Sequence, residues 1–477
     1  MLNNRAQNNK LRVLEQEKIY NYYIGDKDAI LQYLSDVQAI TFDTNLIAEF
    51  QKVFINITKK VINKLANVYK QPADRYFIDE NGEYLEDLTN YYNDLLPLNV
   101  NSIDKQALRF AKAFNTSLTY IGFDKKIVYK VLPSHLFNVL TDDSDHTKLL
   151  QLQYARYDIN QKLYVYTWTD TEHYKQECMD FQDLTVTGNK IPVGDNMDMV
   201  NPYGKIPYAI LRLEEQNDFW GQGQSDLVNI NEQVNFLLSD LINSGVIMQS
   251  WGTPFAVNCG LTTKTDKGET TLKKVRIGAK HPIQVENVNA DMVPPSFEYK
   301  NANPMITEIK DTIDWMIKLI AITKGLDPNA FLADVKESSG FSKVVDAIGE
   351  MELRQDDIEP CRVYEDSRFE LTKLVLESHK SDIESYQELK GSFVVDFAEI
   401  KATKALQDDI KEKEFKLKNN LITPIDLLGE SNPDLTDEEL TKRYEENKKI
   451  NGELKPKEDK KDIEGNKDFT NLNNPDG

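Results

Sequence analysis

The stretch from Asn201 to Gly245 constrains the fold most strongly, because three local signals follow one another there in a fixed order. A Pro/Gly turn opens a short apolar strand with the sequence PYAILRL. A loop with the sequence Trp-Gly-Gln-Gly follows, and its two glycines interrupt regular structure. Ser225 and Asp226 then begin a long helix, since both residue types favour helix starts. The sequence therefore predicts a strand, a tight loop and a helix in mid-chain.

Composition excludes several classes of protein. The 477 residues, 40% of them hydrophobic, are enough to bury a large core and predict about two to four domains. The three cysteines, Cys178, Cys259 and Cys361, lie far apart, which excludes a disulfide framework and a CxxC metal site. No apolar run approaches the roughly 20 residues that span a bilayer, and the N-terminus lacks the apolar core of a signal peptide. We expect a cytoplasmic protein with no membrane partner.

The net charge of −21 bears on a possible DNA partner. Tight non-specific binding to DNA depends on Lys and Arg neutralising phosphates, so an acidic surface argues against a stationary DNA-binding protein. A channel through which DNA slides has the opposite requirement, since each strong phosphate contact would slow the duplex. An acidic composition also simply maintains solubility. Charge alone leaves these last two interpretations open.

Helical and strand patterns divide the N-terminal half. Apolar residues at three-to-four spacing predict an amphipathic helix over Asp43–Tyr69, which Gln71-Pro72 ends, and a second helix over Asp104–Tyr120. From Gly122 to Leu213 the period changes to two, with turns rich in Asp, Ser, Gly and Asn between the runs. This pattern predicts a mostly antiparallel sheet. The fold class is therefore predicted to be α+β and mainly helical.

Two helices with narrow apolar stripes are predicted after the sheet. The first carries Leu227, Ile230, Val234, Leu237, Leu241 and Met248 at alternating three and four steps, with Ser244 completing the series. The second begins at Asn303-Pro304, and Gly325 with Pro328 supplies its stop signal. Between them, Gly252–Ala302 has no helical period, and we expect two strands around the turn at Gly278-Ala279. A common helical hairpin is the plain alternative for this pair.

The C-terminal part is predicted to be helical with one strand. Pro360 should kink or interrupt a long helical segment that begins at Ser342. Phe393–Ile400 reads as a strand that returns to the large sheet. Thr423-Pro424 begins a short helix, and the sequence TDEE at Thr436–Glu439 is a capping box for a helix to about Lys449.

This order of elements resembles that of phage portal proteins, of the type found in long-tailed phages of Gram-positive hosts. The specific part is Asn201 to Ser250, followed by a helix, a β-rich insert and a returning helix; the resemblance covers roughly Tyr20 to Lys449. It implies a portal fold with a wing (1–224), a first stem helix (225–251), a clip (252–303), a second stem helix (304–325), a tunnel loop (326–341), a long wing helix with a returning strand (342–400), a crown (401–450) and a disordered tail (451–477).

The resemblance also implies a function. Portal proteins form a ring-shaped channel of about twelve subunits at one capsid vertex, through which double-stranded DNA is packaged and ejected. The partners that it implies are the terminase large subunit, a head-completion or adaptor protein, and the major capsid and scaffolding proteins. The implied location is the virion, with the host cytoplasm during assembly.

Two groups of site residues follow from the resemblance. The tunnel-loop residues nearest DNA would be Lys336, Glu337, Ser338, Ser339 and Gly340, although the same segment also fits a plain loop whose Gly and Ser residues cap helices. The clip residues Lys273, Lys274, Arg276 and Lys280 form a basic cluster in an acidic chain. They would dock an acidic partner at the end of the ring, or they would be the solvated face of a strand.

Enzyme alternatives fail on their motifs. The chain has no GxxxxGK[ST] phosphate loop, and Gly221-x-Gly223 lacks the third glycine of a dinucleotide fingerprint. The histidines lack ligand spacing; they are His135, His146, His173, His281 and His379. Asp356 and Asp357 are predicted to point to different sides of a helix. We expect no catalytic residue, no metal and no cofactor. The remaining rival is a phage scaffold or head-tail adaptor protein without a DNA channel.

Overall fold

The computed structural model describes residues 2–41, 51–180, 185–193, 198–215, 218–243, 306–331, 340–383, 385–398, 413, 415–419, 421–431 and 437–453, together with short segments between 253 and 300. The chain divides into two compact units, Met1–Ala402 and Thr403–Gly477. Helix and strand are mixed within the first unit, which confirms the predicted α+β class.

The helices described in the first unit precede, follow and interrupt its strands. They are α1 (Leu2–Ile24), α2 (Lys27–Thr41), α3 (Ile57–Leu65), α4 (Glu86–Leu95), α5 (Val100–Phe114), α6 (Ser225–Asp240), α7 (Ile306–Thr323) and α8 (Gly340–Ser378). The strands are β1 (Ala73–Ile78), β2 (Thr116–Asp124), β3 (Lys126–Leu132), β4 (Phe137–Thr141), β5 (Leu149–Tyr157), β6 (Leu163–Trp168), β7 (His173–Asp180), β8 (Thr185–Val186), β9 (Ile191–Pro192), β10 (Tyr208–Arg212), β11 (Thr253–Val257), β12 (Cys259–Gly260), β13 (Thr262–Lys264), β14 (Thr270–Leu272), β15 (Glu286–Asn287), β16 (Ser296–Lys300) and β17 (Ser392–Phe397).

The strands between residues 116 and 212 pair in antiparallel fashion, as the alternating pattern predicts. One sheet has the order β4-β5-β6-β7-β8, with β9 also paired to β7, and a second has the order β10-β2-β3. The predicted return of the C-terminal strand to the large sheet is wrong. β17 is formed as expected, but it pairs with β1, with Ala73 opposite Phe397.

The two largest of the apolar cores formed by described residues lie against the β10-β2-β3 sheet of the first unit and in its helical part. The first lies between the β10-β2-β3 sheet, α5 and α8, and it includes Leu108, Ile121 and Tyr364. The second brings together α1, α3, α5, α6 and α7, with Ile19 and Val61 fully enclosed. Because α5 contributes to both cores, it connects the sheet layer to the helical layer.

The predicted helix over Asp43–Tyr69 is confirmed only for Ile57–Leu65. Residues 51–56 have no helical hydrogen bonds, α3 covers only Ile57–Leu65, and residues 42–50 lie outside the described part of the chain. The side chain of Asn56 accepts a hydrogen bond from the Lys59 backbone N–H at 2.9 Å and caps α3. Residues 51–56 continue the apolar periodicity of α3, but they belong to an extended segment.

The helix predicted over Asp104–Tyr120 is corrected at both ends. α5 begins at Val100 and ends at Phe114, after which the chain enters β2. Asn115 adopts a left-handed conformation with φ of 66°, which stops the helix and turns the chain into the strand.

Pro360 does not interrupt the long C-terminal helix, since α8 runs from Gly340 to Ser378 with Pro360 inside it. A proline in a helix removes one backbone hydrogen bond. The residues that follow it are held by tertiary contacts, because Cys361 and Tyr364 lie in the first core. Burial therefore outweighs the local preference to end the helix.

In the second unit, α9 (Pro424–Ser431) packs against α10 (Asp437–Glu453). The predicted start at Thr423-Pro424 is confirmed, and Asp426 and Thr423 exchange backbone to side-chain hydrogen bonds of 2.6 and 3.1 Å. Leu440 of α10 is buried. Thr436, which the predicted capping box contains, lies outside the described residues.

Candidate functional site

The central feature of the first unit is the pair of helices α6 and α7. Lys324, directly after the end of α7, forms an ion pair of 2.7 Å with Asp226 in the first turn of α6. The two helices therefore run in opposite directions. Leu227 and Val234 of α6 share a core with Ile313 and Ile320 of α7, as the two predicted stripes require.

The predicted ends of these helices are partly confirmed. α7 ends where expected, because Gly325 has φ of 66° and the Leu326 N–H donates to the Ala321 carbonyl at 2.8 Å. The predicted start at Asn303-Pro304 and the stripe residues Ser244 and Met248 lie outside the described residues.

The insert between α6 and α7 begins and ends with paired strands. β11 pairs with β16, so that Thr253 lies opposite Lys300 and both ends of the insert meet. Inside it, β13 pairs with β14 and β12 with β15. The turn at Gly278-Ala279 and the residues next to it, where two strands are expected to pair, lie outside the described residues. On the N-terminal side, Thr270–Leu272 pairs with the preceding strand.

α7 also carries apolar side chains on the face away from α6. Trp315, Leu319 and Ile322 are 61%, 36% and 63% exposed, and they recur at the four-and-three spacing of one helical face. The opposite face of the same helix is buried through Ile313 and Ile320. A helix that is apolar on two faces indicates a partner that covers the second one.

A polar stripe runs along α6 and was not predicted. It consists of Asn231, Asn235, Ser239 and Asn243, which are each at most 8% exposed. These side chains bind the backbone of residues 51–58, which we call the strap. It consists of the extended residues 51–56 and the first two residues of α3.

Each side chain of the polar stripe forms hydrogen bonds with backbone groups of the strap, and we call each such set of bonds a rung. The N–H of Gln51 donates to Asn243 at 2.9 Å, and the Asn243 amide donates back to the Gln51 carbonyl at 2.7 Å. The N–H groups of Val53 and Ile55 donate to Ser239 and Asn235 at 3.0 and 2.8 Å. Asn231 accepts from the Ile57 and Thr58 N–H groups, each at 3.1 Å.

The spacing of the polar side chains along α6 matches the spacing of alternate strap residues closely enough for four rungs. Residues four apart in an α-helix are separated by about 6.0 Å along its axis. Every second residue of an extended chain advances by roughly 6.4 to 6.8 Å. Side chains on one stripe of α6 can therefore replace the neighbouring strand that the strap would have in a sheet. In the sequence, Asn or Ser at every fourth position of this helix is the signal for this arrangement.

The Trp-Gly-Gln-Gly loop packs onto the junction between α5 and β2. The hydroxyl of Thr116 donates to the Trp220 carbonyl at 2.9 Å, and the Gln224 N–H donates to the Ala113 carbonyl at 2.9 Å. Gly221 has φ of 67°, and a Cβ atom there would lie 2.2 Å from Nδ2 of Asn115. The loop therefore requires glycine, and it fixes the start of α6 relative to the sheet.

A buried cluster of four charged side chains anchors α8. Arg75 of β1 and Arg368 of α8 surround Asp104 of α5 and Glu365 of α8, and all four side chains are at most 5% exposed. Burial opposes the ionisation of Glu365, but the charges of Arg368 and Arg75 outweigh it and lower its pKa to about 2. Two positive and two negative charges compensate one another, so the cluster is suited to fixing three elements together.

The predicted site residues are mostly outside the described part of the chain. Lys336, Glu337, Ser338 and Ser339 fall there, and Gly340 is the first residue of α8. The whole basic cluster of the insert also falls there, namely Lys273, Lys274, Arg276 and Lys280.

The structure shows the positions of two acidic residues and one histidine that were considered as possible catalytic or metal-binding residues. Asp357 is buried and pairs with Lys112 at 2.7 Å, while Asp356 is exposed, which confirms that they point to different sides. Burial, with the charge of Arg12 beside it, lowers the pKa of His135 to about 4. Among the described residues, no group of three or more His, Cys, Asp or Glu side chains could hold a metal ion. None of the described helices has the length and apolar content to cross a membrane.

Comparison with known proteins gives little further information. No family model and no curated protein matches the chain. Among solved structures, one similar chain belongs to the "Neck of empty GTA particle computed with C6 symmetry". The alignment covers 77% of this chain and 87% of that chain, with 8% sequence identity and a TM-score of 0.39. A similarity of this size carries no argument about function.

Proposed function

We propose that this chain is a portal protein, which forms a ring of about twelve copies around a channel for double-stranded DNA at one capsid vertex. The order of its elements supports this proposal, since two oppositely directed helices enclose a β-rich insert and a 39-residue helix follows them. In this proposal α6 and α7 are the stem, the insert is the clip, and no step requires catalysis.

The observation that carries the proposal is the exposed apolar face of α7. Leaving Trp315, Leu319 and Ile322 in water costs about 25 cal/mol for each Å² of apolar surface. In a ring with rotational symmetry, one surface of each copy contacts a different surface of the next, so every copy can cover this face. A twofold dimer would also cover this face on both copies, so the number of subunits distinguishes the ring from a dimer.

Ring formation is the test. Native mass spectrometry and negative-stain microscopy of the full chain should show closed rings of about twelve subunits. The double variant Trp315→Lys/Ile322→Lys should remain monomeric with unchanged circular dichroism, because two charges cannot be buried unpaired. Thr307→Lys is the control, since Thr307 is exposed on α7 and lies about two turns before Trp315. Monomers of the unchanged chain at micromolar concentration and physiological salt would refute the proposal.

Within this proposal the remaining partners have assigned surfaces. The tunnel loop with Lys336, Glu337, Ser338, Ser339 and Gly340 contacts DNA at the narrowest part of the channel. Lys273, Lys274, Arg276 and Lys280 of the clip dock first the terminase large subunit and then the head-completion or adaptor protein. Capsid and scaffolding proteins surround the ring, and the protein is located in the virion after assembly in the host cytoplasm.

A triple charge reversal tests the clip assignment. Lys273→Glu/Lys274→Glu/Arg276→Glu should leave rings intact and weaken terminase docking, with the loss greatest at low salt, because rim charges mainly set association rate and salt dependence. Equal binding of both proteins at every salt concentration would make these residues a solvated strand face.

A further inference from the structure

An unexpected basic region lies on α3 and the residues around it. Residues 50–73 contain five lysines and no Asp or Glu, although the whole chain has 78 acidic residues in 477 positions. At that average, 24 residues would contain about four acids. The lysines are Lys52, Lys59, Lys60, Lys64 and Lys70.

The fold places part of this region against α5 and forms a cleft. The cleft has a volume of about 300 Å³, and it is lined by Asn63, Lys64, Ala66, Asn67, Lys70, Lys105, Arg109 and Glu350. Four cationic side chains therefore face one carboxylate. Lys64 pairs with Glu350 at 3.1 Å, which compensates one of the four.

The other three cations are not neutralised by acids within the described part of the chain. Lys70 and Lys105 form no ion pair there, and Nε of Arg109 is buried without a hydrogen-bond partner. Asn67 fixes the floor of the cleft, because its amide donates to the backbone carbonyl of Glu350 at 3.0 Å. Counted over the described residues, the cleft carries an excess of three positive charges, and such an excess in a concave space attracts an anion.

We propose that this basic cleft binds backbone phosphates of double-stranded DNA. Its volume is large enough to admit a phosphate group. The charge also continues outside the cleft, since Lys59 and Lys60 are exposed on the same short helix. A row of cations longer than one anion favours a polymer with repeated charges over a single free ion. The choice of DNA rests on the proposed function, whereas the anion site itself does not.

Charge reversal in the cleft gives the test. Binding of the full chain to a fluorescent duplex of about 20 base pairs is measured by anisotropy between about 50 and about 200 mM salt. The variant Lys70→Glu/Lys105→Glu should bind at least about tenfold more weakly at the lowest salt, and the dependence of log affinity on log salt should fall by about 2. Both side chains are at least partly exposed, so the variant should fold.

The matched control is Lys130→Glu/Lys380→Glu, which changes the net charge equally at two exposed positions outside the cleft. The affinity of this control for the duplex should stay within about twofold of that of the unchanged chain, because its substitutions leave the cleft unaltered. An equal loss in both variants, or no duplex binding by the unchanged chain at about 50 mM salt, would overturn the proposal.

Inorganic phosphate separates the two sources of a phosphate group. At constant ionic strength, millimolar phosphate should displace the duplex poorly, since one ion replaces only one of several contacts. If inorganic phosphate displaces the duplex when both supply the same concentration of phosphate groups, the cleft is a small-anion site and DNA is not its ligand. If the unchanged chain forms rings and the cleft variant binds DNA as strongly as the unchanged chain does, this inference alone is refuted. If the chain forms no rings but its DNA binding depends on the cleft, the portal proposal alone is refuted.

Discussion

The guanidinium group of Arg75 forms two hydrogen bonds with the carboxylate of Glu365, of 2.9 and 2.8 Å, across 290 positions of sequence. Neither side chain is more than 5% exposed. The pair fixes β1 to the middle of α8, so the orientation of the long helix depends on it.

Removing one partner of this pair should destabilise the first unit strongly. Arg75→Ala should lower the free energy of unfolding by about 3 to 5 kcal/mol, because Glu365 would keep a buried charge without its bidentate partner. Urea denaturation followed by circular dichroism measures the change. Arg362→Ala is the control, since its ion pair with Glu359 on the same helix is exposed and should contribute less than about 1 kcal/mol. Equal effects of both substitutions would contradict the assigned role.

Loss of one rung of the polar stripe should release the strap. Asn235→Ala leaves the Ile55 N–H without its acceptor and should cost about 1 to 3 kcal/mol. Hydrogen exchange of residues 51–58 should accelerate before the rest of the chain is affected. Asn229→Ala is the matched control, because Asn229 is the same residue type on the exposed face of the same helix. Unchanged exchange in Asn235→Ala would show that the strap is held by other contacts.

Gly221 should tolerate no side chain. Gly221→Ala requires an unfavourable positive φ and places Cβ 2.2 Å from Asn115, which itself holds the Glu214 carbonyl at 3.0 Å. Gly204→Ala separates the two effects, since Gly204 has the same φ of 67° with no atom within 4 Å. We expect the melting temperature to fall distinctly more for Gly221→Ala. Equal decreases would mean that backbone strain alone matters.

His135 should make stability fall in mild acid. Its pKa is about 4 in the folded chain, because burial and the charge of Arg12 disfavour the protonated ring. The unfolded value is near 6.5, so this stability is present above about pH 6.5 and is lost as pH falls towards 4. Between pH 7 and pH 5 the unchanged chain should lose about 2 kcal/mol more than His135→Phe, measured by urea denaturation. His146→Gln should lose as much stability over this range as the unchanged chain does. Equal losses in the unchanged chain, His135→Phe and His146→Gln would show that His135 does not cause the loss.

Shortening the tunnel loop around Lys336 to Gly340 should leave folding and ring formation largely unchanged, because a polar loop tip contributes little burial. It should impair DNA packaging or retention, and Lys336→Glu should do so more weakly, since one exposed contact is weak at physiological salt. The measurement is the length of DNA retained in assembled particles. If particles with the shortened loop retain full-length DNA, the loop does not line the channel. If the shortened variant forms no rings, the loop is a contact between subunits.

Local signals in the sequence were sufficient for several elements. Alternating residues specify the antiparallel strands, Gly325 ends α7, and the turn, strand, loop and helix from Asn201 to Asp240 occur as predicted. These signals act over a few residues, so no distant contact is needed to express them. The narrow stripes of α6 and α7 also predicted correctly that the two helices pack together.

Only the tertiary structure decided the extended strap, the continuity of α8 through Pro360, the pairing of β17 with β1 and the joining of Arg75 to Glu365. In each case a distant segment supplies hydrogen bonds or burial that outweigh a local preference of about 1 to 3 kcal/mol. The apolar period of the strap predicts a helix. Asn235 and its neighbours on α6 instead supply hydrogen-bond partners to alternate residues of the strap backbone, namely Gln51, Val53 and Ile55. The basic cleft likewise exists only because folding brings Lys70 beside Lys105, 35 positions further along the chain.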